Sequence, residues 1–228
     1  MTNRGDTWIV IPAYNEARRI GGVLTVLSQC VGGPIAVVDD ASSDGTYKVV
    51  CESGVYGLHH KVNLGQGAAL QTGITFALSR GAQYVVTFDA DGQHDPTDIP
   101  KLLAALEEQQ ADFALGSRFL GSTVGMPWLR RLILKAAVIF TRMQCGAVLT
   151  DAHNGIRAMT RRGATHLHIT MNRMEHASQV IEQIVVSGLK YVEVPVTIHY
   201  TADTLAKGQS STAAIRMGTR LLLRRLLG

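Results

Sequence analysis

The sequence predicts an α/β fold built on a largely parallel sheet with helices on both faces. Three observations carry that prediction. Through the first half of the chain, short β-branched apolar runs alternate with segments of helical pattern. Acidic clusters stand directly after two of those runs. The length of 228 residues suits one α/β domain of ordinary size and is too short for two.

The elements follow in order. Trp8-Ile-Val-Ile11 reads as a strand ended by Pro12, and a helix is expected over 16–29. The run 34–38 is apolar and β-branched, the mark of a buried strand, and it leads into Asp39 and Asp40. Ser42, Ser43 and Asp44 offer cap oxygens to a helix reaching residue 50. A weaker strand at 55–60 precedes a glycine-broken turn over 63–67 and a helix to residue 79. The next strand, 83–88, runs into the acidic stretch 89–95. Asp95 before Pro96 is a cap followed by a favoured first-turn residue, so a helix starts there and extends to 109. A strand at 112–116 completes the regular half.

The second half is less regular. An amphipathic helix is expected over 126–149, with Arg130, Arg131, Lys135 and Arg142 among apolar positions. A short strand at 156–159, a helix at 175–187 and a strand at 190–200 follow. Residues 1–200 are expected to form the main domain. Residues 201–228 are expected to form a mobile loop and a basic C-terminal helix, where Arg216, Arg220 and Arg224 recur on one stripe. That helix suits an anionic membrane surface, or docking on the domain or on a second subunit.

Composition narrows the class. With 46% hydrophobic and 18% charged residues, the chain is neither disordered, collagen-like nor a coiled coil. Cys30, Cys51 and Cys145 are odd in number and scattered, which fits a reducing, cytoplasmic compartment better than a disulfide framework. The net charge of +4 hides an asymmetry. Residues 1–117 carry 7 basic and 13 acidic side chains, whereas residues 118–228 carry 15 and 5. The acidic half could hold a cation and the basic half could meet anions. Few aromatics interleave with the basic residues, which argues against nucleic-acid binding. Asp6 and the shortness of the run 8–13 argue against a secretory signal, and no stretch reaches the ~18–20 apolar residues of a membrane span. The expected location is cytoplasmic, with peripheral attachment to the inner face of the cell membrane.

In sheets of this kind a ligand sits beyond the carboxyl ends of the strands, where both acidic clusters fall. In an extended segment Asp89, Asp91 and Gln93 share one side. Two carboxylates and an amide oxygen are hard ligands suited to Mg²⁺ or Mn²⁺. Asp39 and Asp40 would cost on the order of several kcal/mol if buried unpaired. One of them therefore either caps backbone groups of 42–45 or accepts hydrogen bonds from a ligand, and both readings stay open.

Four segments in order resemble family 2 glycosyltransferases: Val10-Ile-Pro-Ala-Tyr-Asn-Glu16, Val37-Val-Asp-Asp-Ala-Ser-Ser-Asp-Gly-Thr46, Asn63-Leu-Gly-Gln-Gly-Ala-Ala69 and Phe88-Asp-Ala-Asp-Gly-Gln-His-Asp-Pro96. The likeness is greatest to the dolichyl- or polyprenyl-phosphate mannose and glucose synthase branch. Gly116-Ser-Arg118, Thr150-Asp-Ala-His-Asn-Gly155 and Val192-Glu-Val-Pro195 also resemble that branch. The resemblance implies a GT-A fold, a nucleotide-sugar donor, a divalent metal and inversion at the sugar carbon. It implies donor contacts from Pro12, Ala13, Tyr14 and Glu16, from Asp40 to the base or ribose, and from Gln66, which stands where the family often has lysine. Asp89, Asp91 and Gln93 would hold Mg²⁺ or Mn²⁺ on the donor diphosphate, with Asp91 catalytic, and Lys207 would lie on a loop closing over the donor phosphates.

The acceptor decides what else is needed. A polyprenyl phosphate is already ionised and wants cationic positioning, for which Arg118 is the first choice and Arg130 or Arg131 the second. A hydroxyl of a lipid-linked saccharide, as in surface polysaccharide synthesis, would need a base. Asp151, His153, Glu175 and His176 are available, with Asp151 and His176 the leading candidates. The rival of another class is a nucleotide-sugar-binding protein without catalysis. Homo-oligomerisation is left open.

Overall fold

The structure is a computed structural model that describes residues 6–172 and 175–200. Its elements run β1 (Thr7–Ala13), α1 (Ala17–Cys30), β2 (Ile35–Asp39), α2 (Thr46–Glu52), β3 (Tyr56–His59), α3 (Gln66–Ser79) and β4 (Tyr84–Thr87). They continue α4 (Ile99–Glu108), β5 (Phe113–Val124), α5 (Trp128–Cys145), β6 (Arg157–Thr160), α6 (Arg161–His166), α7 (His176–Val186) and β7 (Tyr191–His199). One sheet has the order β3-β2-β1-β4-β6-β5-β7. Only β6 runs antiparallel to its neighbours, β4 and β5; the remaining pairs are parallel.

Every residue of β1 and β2 is buried, as continuous apolar runs in a doubly covered sheet should be. One face packs against Ile20, Leu24 and Leu27 of α1, Val50 of α2, and Ile99, Leu102 and Leu106 of α4. The other packs against Leu70, Ile74 and Ala77 of α3, Ala164 of α6, and Val180, Ile181 and Ile184 of α7. The carboxyl ends of β1, β2 and β4 are thereby held side by side, and the loops that follow them form one rim.

Three details differ from expectation. First, β1 does not stop at Pro12 but runs through it to Ala13. Val10 O accepts from Phe88 N on the β4 side. Two residues on, the Pro12 nitrogen faces that same side, past Thr87, the last residue of β4 paired with β1. Second, the strand expected at 112–116 extends to Val124, and its outer half pairs with the end of β7 across an irregularity between Ser117 and Ser122. Third, α6 was not expected. Thr160 Oγ1 caps it by accepting from Gly163 N at 3.1 Å. The expected cap at Asp95 is present: its carboxylate accepts from Thr97 N at 2.9 Å, and the 3-10 turn Pro96–Asp98 leads into α4. The predicted loop and basic helix of 201–228, including Lys207, lie outside the described residues.

Candidate active site

The loops after β1 and β2 are laced together. Asn15 N donates to Ser42 Oγ (2.9 Å), Ser43 N to Asn15 Oδ1 (3.0 Å) and Glu16 N to Thr46 Oγ1 (2.8 Å). Asn15 and Ala41 both adopt left-handed backbone, with φ of 55° and 60°. Pro12 and Ala13 are buried strand residues, whereas Tyr14 is 50% exposed at the rim. The Glu16 carboxylate pairs with Arg19 at 3.0 Å.

The two adjacent aspartates do different things. Both oxygens of Asp40 are engaged: Oδ1 accepts from Leu64 N (2.9 Å) and the His60 ring (2.8 Å), and Oδ2 accepts from Gly65 N (2.7 Å). Asp40 thus fastens the glycine turn 63–67 to the end of β2. Asp39 Oδ2 accepts from Ser42 N (3.2 Å) and from His59 (2.8 Å), so it is Asp39 that ties the 42–45 loop. Asp39 Oδ1 is buried and has no hydrogen-bond partner among the described residues. The glycine turn leads into α3 through Gly67, which donates to Asn172 O at 3.1 Å. A Cβ on Gly67 would stand 2.9 Å from His176 Cβ, so no larger residue fits between the starts of α3 and α7.

The acidic motif after β4 is not extended, contrary to expectation, but a tight turn. Asp91 Oδ1 accepts from Gln93 N (2.9 Å) and Gly92 takes φ of 75°, the local side-chain-to-backbone turn that Asp-Gly favours. Asp89 is clamped from two sides. Gln66 Nε2 donates to its Oδ1 (3.1 Å) and His94 Nε2 to its Oδ2 (2.9 Å). Gly155 backs it: a Cβ there would collide with Asp89 Oδ2 and lie 2.5 Å from its Cγ.

These surroundings push the two acids apart. Burial raises the Asp89 carboxyl, but the His94 hydrogen bond and charge, with Arg157 and His176, outweigh it and leave it below the ordinary value. Asp91 is raised, first by burial and then by Asp89, against the Gln93 N–H. A divalent cation relieves that kind of crowding, so the pair and the Gln93 amide fit Mg²⁺ or Mn²⁺. No group of three or more His, Cys, Asp or Glu side chains suited to a metal occurs among the described residues. A cation here would therefore need oxygens from the amide, water or a ligand.

Across the rim, the segment 150–155 holds a buried ionic network. Arg118 is 7% exposed and fully engaged. Its Nε donates to Asp151 Oδ2 (2.6 Å), Nη1 to the Tyr200 hydroxyl (2.7 Å) and Nη2 to His153 O (2.8 Å). Asp151 also accepts from Arg118 N (3.1 Å), Asn154 Nδ2 (3.4 Å) and His153 N (3.3 Å). Glu193 of β7 accepts from Thr150 N (2.8 Å) and Asp151 N (3.0 Å). Arg118 and Asp151 therefore serve each other in this conformation. Burial, with Arg157, Arg118 and His176 outweighing Asp151, lowers His153 from 6.5 to about 4, so its imidazole is neutral at pH 7. His176, at the start of α7, is 5% exposed.

Of the predicted residues, Gln66 is bonded to Asp89, Asp91 feels the Asp89 charge and holds the Gln93 backbone N–H, and Pro12, Ala13, Tyr14, Glu16 and Asp40 stand on the loops after β1 and β2. Arg118 and Asp151 form a second group, bridged to the first by Gly155 and Arg157. Reading the sequence missed His94, Gly155, Arg157, Glu193 and Tyr200. His94, Gly155 and Glu193 lay inside quoted motifs, and for His94 its closeness to Asp89 in sequence was the available signal. Tyr200 had none, since it meets Arg118 across 82 residues.

Comparison with known proteins agrees with this geometry. Residues 8–167 match the Glycosyl transferase family 2 profile, and the chain belongs to that family. It is a glycosyltransferase. It is 30% identical over 237 residues to UDP-N-acetylglucosamine–dolichyl-phosphate N-acetylglucosaminyltransferase of Methanococcus voltae, covering 95% of this chain and 94% of the relative. It is 32% identical over 222 residues to polyprenol monophosphomannose synthase of Mycolicibacterium smegmatis, covering 92% and 83%. Among solved structures, glucosyl-3-phosphoglycerate synthase of Mycobacterium tuberculosis superimposes with a TM-score of 0.70 at 20% identity, covering 92% of this chain and 75% of that one. The same enzyme has been crystallised with Mn²⁺, UDP and glucosyl-3-phosphoglycerate, with a TM-score of 0.66 at 21% identity and coverage of 89% and 75%. The architecture is the expected GT-A-type fold.

Proposed function

We propose that the protein transfers a hexose from a nucleotide diphosphate-sugar to a polyprenyl phosphate, with inversion at the sugar carbon. The carrying observation is the Asp89–Asp91 pair just after β4, where burial first and the Asp89 charge second raise the Asp91 carboxyl. Asp89, Asp91 and Gln93 would hold Mg²⁺ or Mn²⁺. When bound, the ion supplies Lewis-acid stabilisation of the diphosphate that leaves the sugar. Gln66, His94 and Gly155 fix Asp89 in place. Pro12, Ala13, Tyr14, Glu16 and the loop held by Asp39 and Asp40 take the nucleoside.

Two observations support a phosphate acceptor. The names of the Methanococcus and Mycolicibacterium relatives specify dolichyl phosphate and a polyprenol monophosphate product. Asp151, a leading candidate from the sequence for deprotonating a hydroxyl, is instead bonded to Arg118 and Asn154. A phosphate is already ionised and needs no such base.

A lipid acceptor requires approach to a membrane, and α5 supports this. Trp128 (77% exposed), Leu132 (58%), Ile139 (58%) and Met143 (74%) recur at helical spacing on its solvent side. Arg131, Lys135 and Arg142 flank them, and no Asp or Glu occurs between Asp112 and Asp151. An apolar stripe with a basic flank suits an anionic bilayer surface. No helix among the described residues is long and apolar enough to cross a membrane.

The test is product chemistry. Membranes supplied with radiolabelled nucleotide-sugar and undecaprenyl phosphate should yield a chloroform–methanol-extractable product that mild acid hydrolyses. An acid-stable product would show transfer to a hydroxyl instead, and binding without turnover would reduce the protein to a nucleotide-sugar receptor.

A further inference from the structure

Arg157 opens β6, opposite Thr87 of β4 and Leu115 of β5. Side chains alternate along a strand, and Met159 and Leu115 belong to the core packed by α3 and α7. Arg157 therefore projects to that face, at the end of the sheet where Asp89 stands. Both Asp89 and Asp151 act on it electrostatically, and its charge in turn bears on Asp89 and His153.

The residue is 5% exposed. No hydrogen bond or ion pair joins its side chain to any other described residue. The contrast with Arg118 is sharp, since that guanidinium uses all three of its nitrogens on protein oxygens. Burial outweighs the two carboxylates and pulls Arg157 below the ordinary arginine value, yet a guanidinium stays protonated in proteins. None of its nitrogens is among the buried side-chain atoms that lack a partner, so the fork reaches solvent-accessible space while the rest of the residue is buried. The nearby carboxylates do not satisfy its donors, because Asp89 is bonded to Gln66 and His94, and Asp151 to Arg118 and Asn154. An arriving anion would satisfy them.

Resting on the function proposed above, we propose that Arg157 is a further catalytic residue, one that binds a phosphate oxygen between Asp89 and Asp151. Its planar fork matches two phosphate oxygens. Shielding from water strengthens that contact. The phosphate has two sources in this reaction, the diphosphate of the donor and the phosphomonoester of the acceptor.

The experiment uses the full chain and the variants Arg157→Gln and Arg157→Lys. Binding of UDP, GDP, UMP and GMP is measured with Mn²⁺, together with KM and kcat against undecaprenyl phosphate and the melting temperature. If the donor supplies the phosphate, Arg157→Gln weakens the preferred diphosphate at least tenfold and leaves the monophosphate unchanged. If the acceptor supplies it, diphosphate affinity holds and KM for undecaprenyl phosphate rises at least tenfold. Arg157→Lys, which keeps the charge and loses the fork, falls between wild type and Arg157→Gln in whichever arm responds. A lowered melting temperature with both affinities and kcat unchanged would make Arg157 a structural counter-charge and overturn the proposal. Should Arg157→Gln fail to fold, wild-type behaviour of Arg157→Lys in every assay overturns it equally. Failure of the wild type itself to bind either diphosphate, or to use undecaprenyl phosphate, would count against the underlying function instead.

Discussion

At the scale of single residues, Gly155 and His153 make the sharpest demands. Gly155 leaves the space that Asp89 occupies. In Gly155→Ala the new Cβ must displace that carboxylate, so Mn²⁺-dependent diphosphate binding should fall at least tenfold, the order of a lost charge-assisted contact. The sheet should survive; circular dichroism and titration calorimetry check both halves. For His153 the sign follows from proton counting. Its pKa is about 4 folded and 6.5 in the ordinary state, so between those values the unfolded chain binds the extra proton. Stability is therefore lost as pH falls from about 6.5 towards 4, by up to about 3 kcal/mol from this residue. His153→Gln should flatten that part of a denaturation-versus-pH profile, and an unchanged slope would contradict the neutral, buried imidazole. The sequence made Asp89 and Asp91 legible as neighbouring acids after an apolar strand. It did not show that their segment turns rather than extends, because Asp91 captures Gln93 N only when Gly92 takes a left-handed backbone.

At the scale of elements, periodicity exposed nearly every strand and helix, since burial on both faces writes continuous apolar runs into β1, β2 and β4. Strand direction was not legible. The antiparallel setting of β6 depends on where the segment after α5 returns, and a four-residue pattern carries no polarity. Nor was α6, whose Arg161–His166 sequence has no apolar stripe and relies on the Thr160 cap. The amphipathic character of 126–149 was legible, but not which side would remain bare. That bare side carries the element-scale prediction. Trp128→Asp combined with Leu132→Asp should reduce sedimentation with anionic vesicles severalfold while leaving Mn²⁺-dependent nucleotide binding intact. Undiminished vesicle binding would shift membrane contact away from α5.

At the scale of the whole molecule, the charge asymmetry acquires a location. The acidic half supplies Asp39, Asp40, Asp89 and Asp91 to one rim of the sheet. The basic half brings Arg118 and Arg157 to the same rim beside those acids, and the cationic flank of α5 to the surface. On the proposed function, the acids serve the donor diphosphate and the arginines the acceptor phosphate. The measurement that tests this most directly is titration calorimetry of UDP and GDP into wild type and Asp91→Ala, with Mn²⁺ and with chelator. The account predicts that one diphosphate binds the wild type only when Mn²⁺ is present, and that Asp91→Ala removes the metal-dependent part. Equal affinity in chelator, or an Asp91→Ala variant that still responds to Mn²⁺, would contradict it.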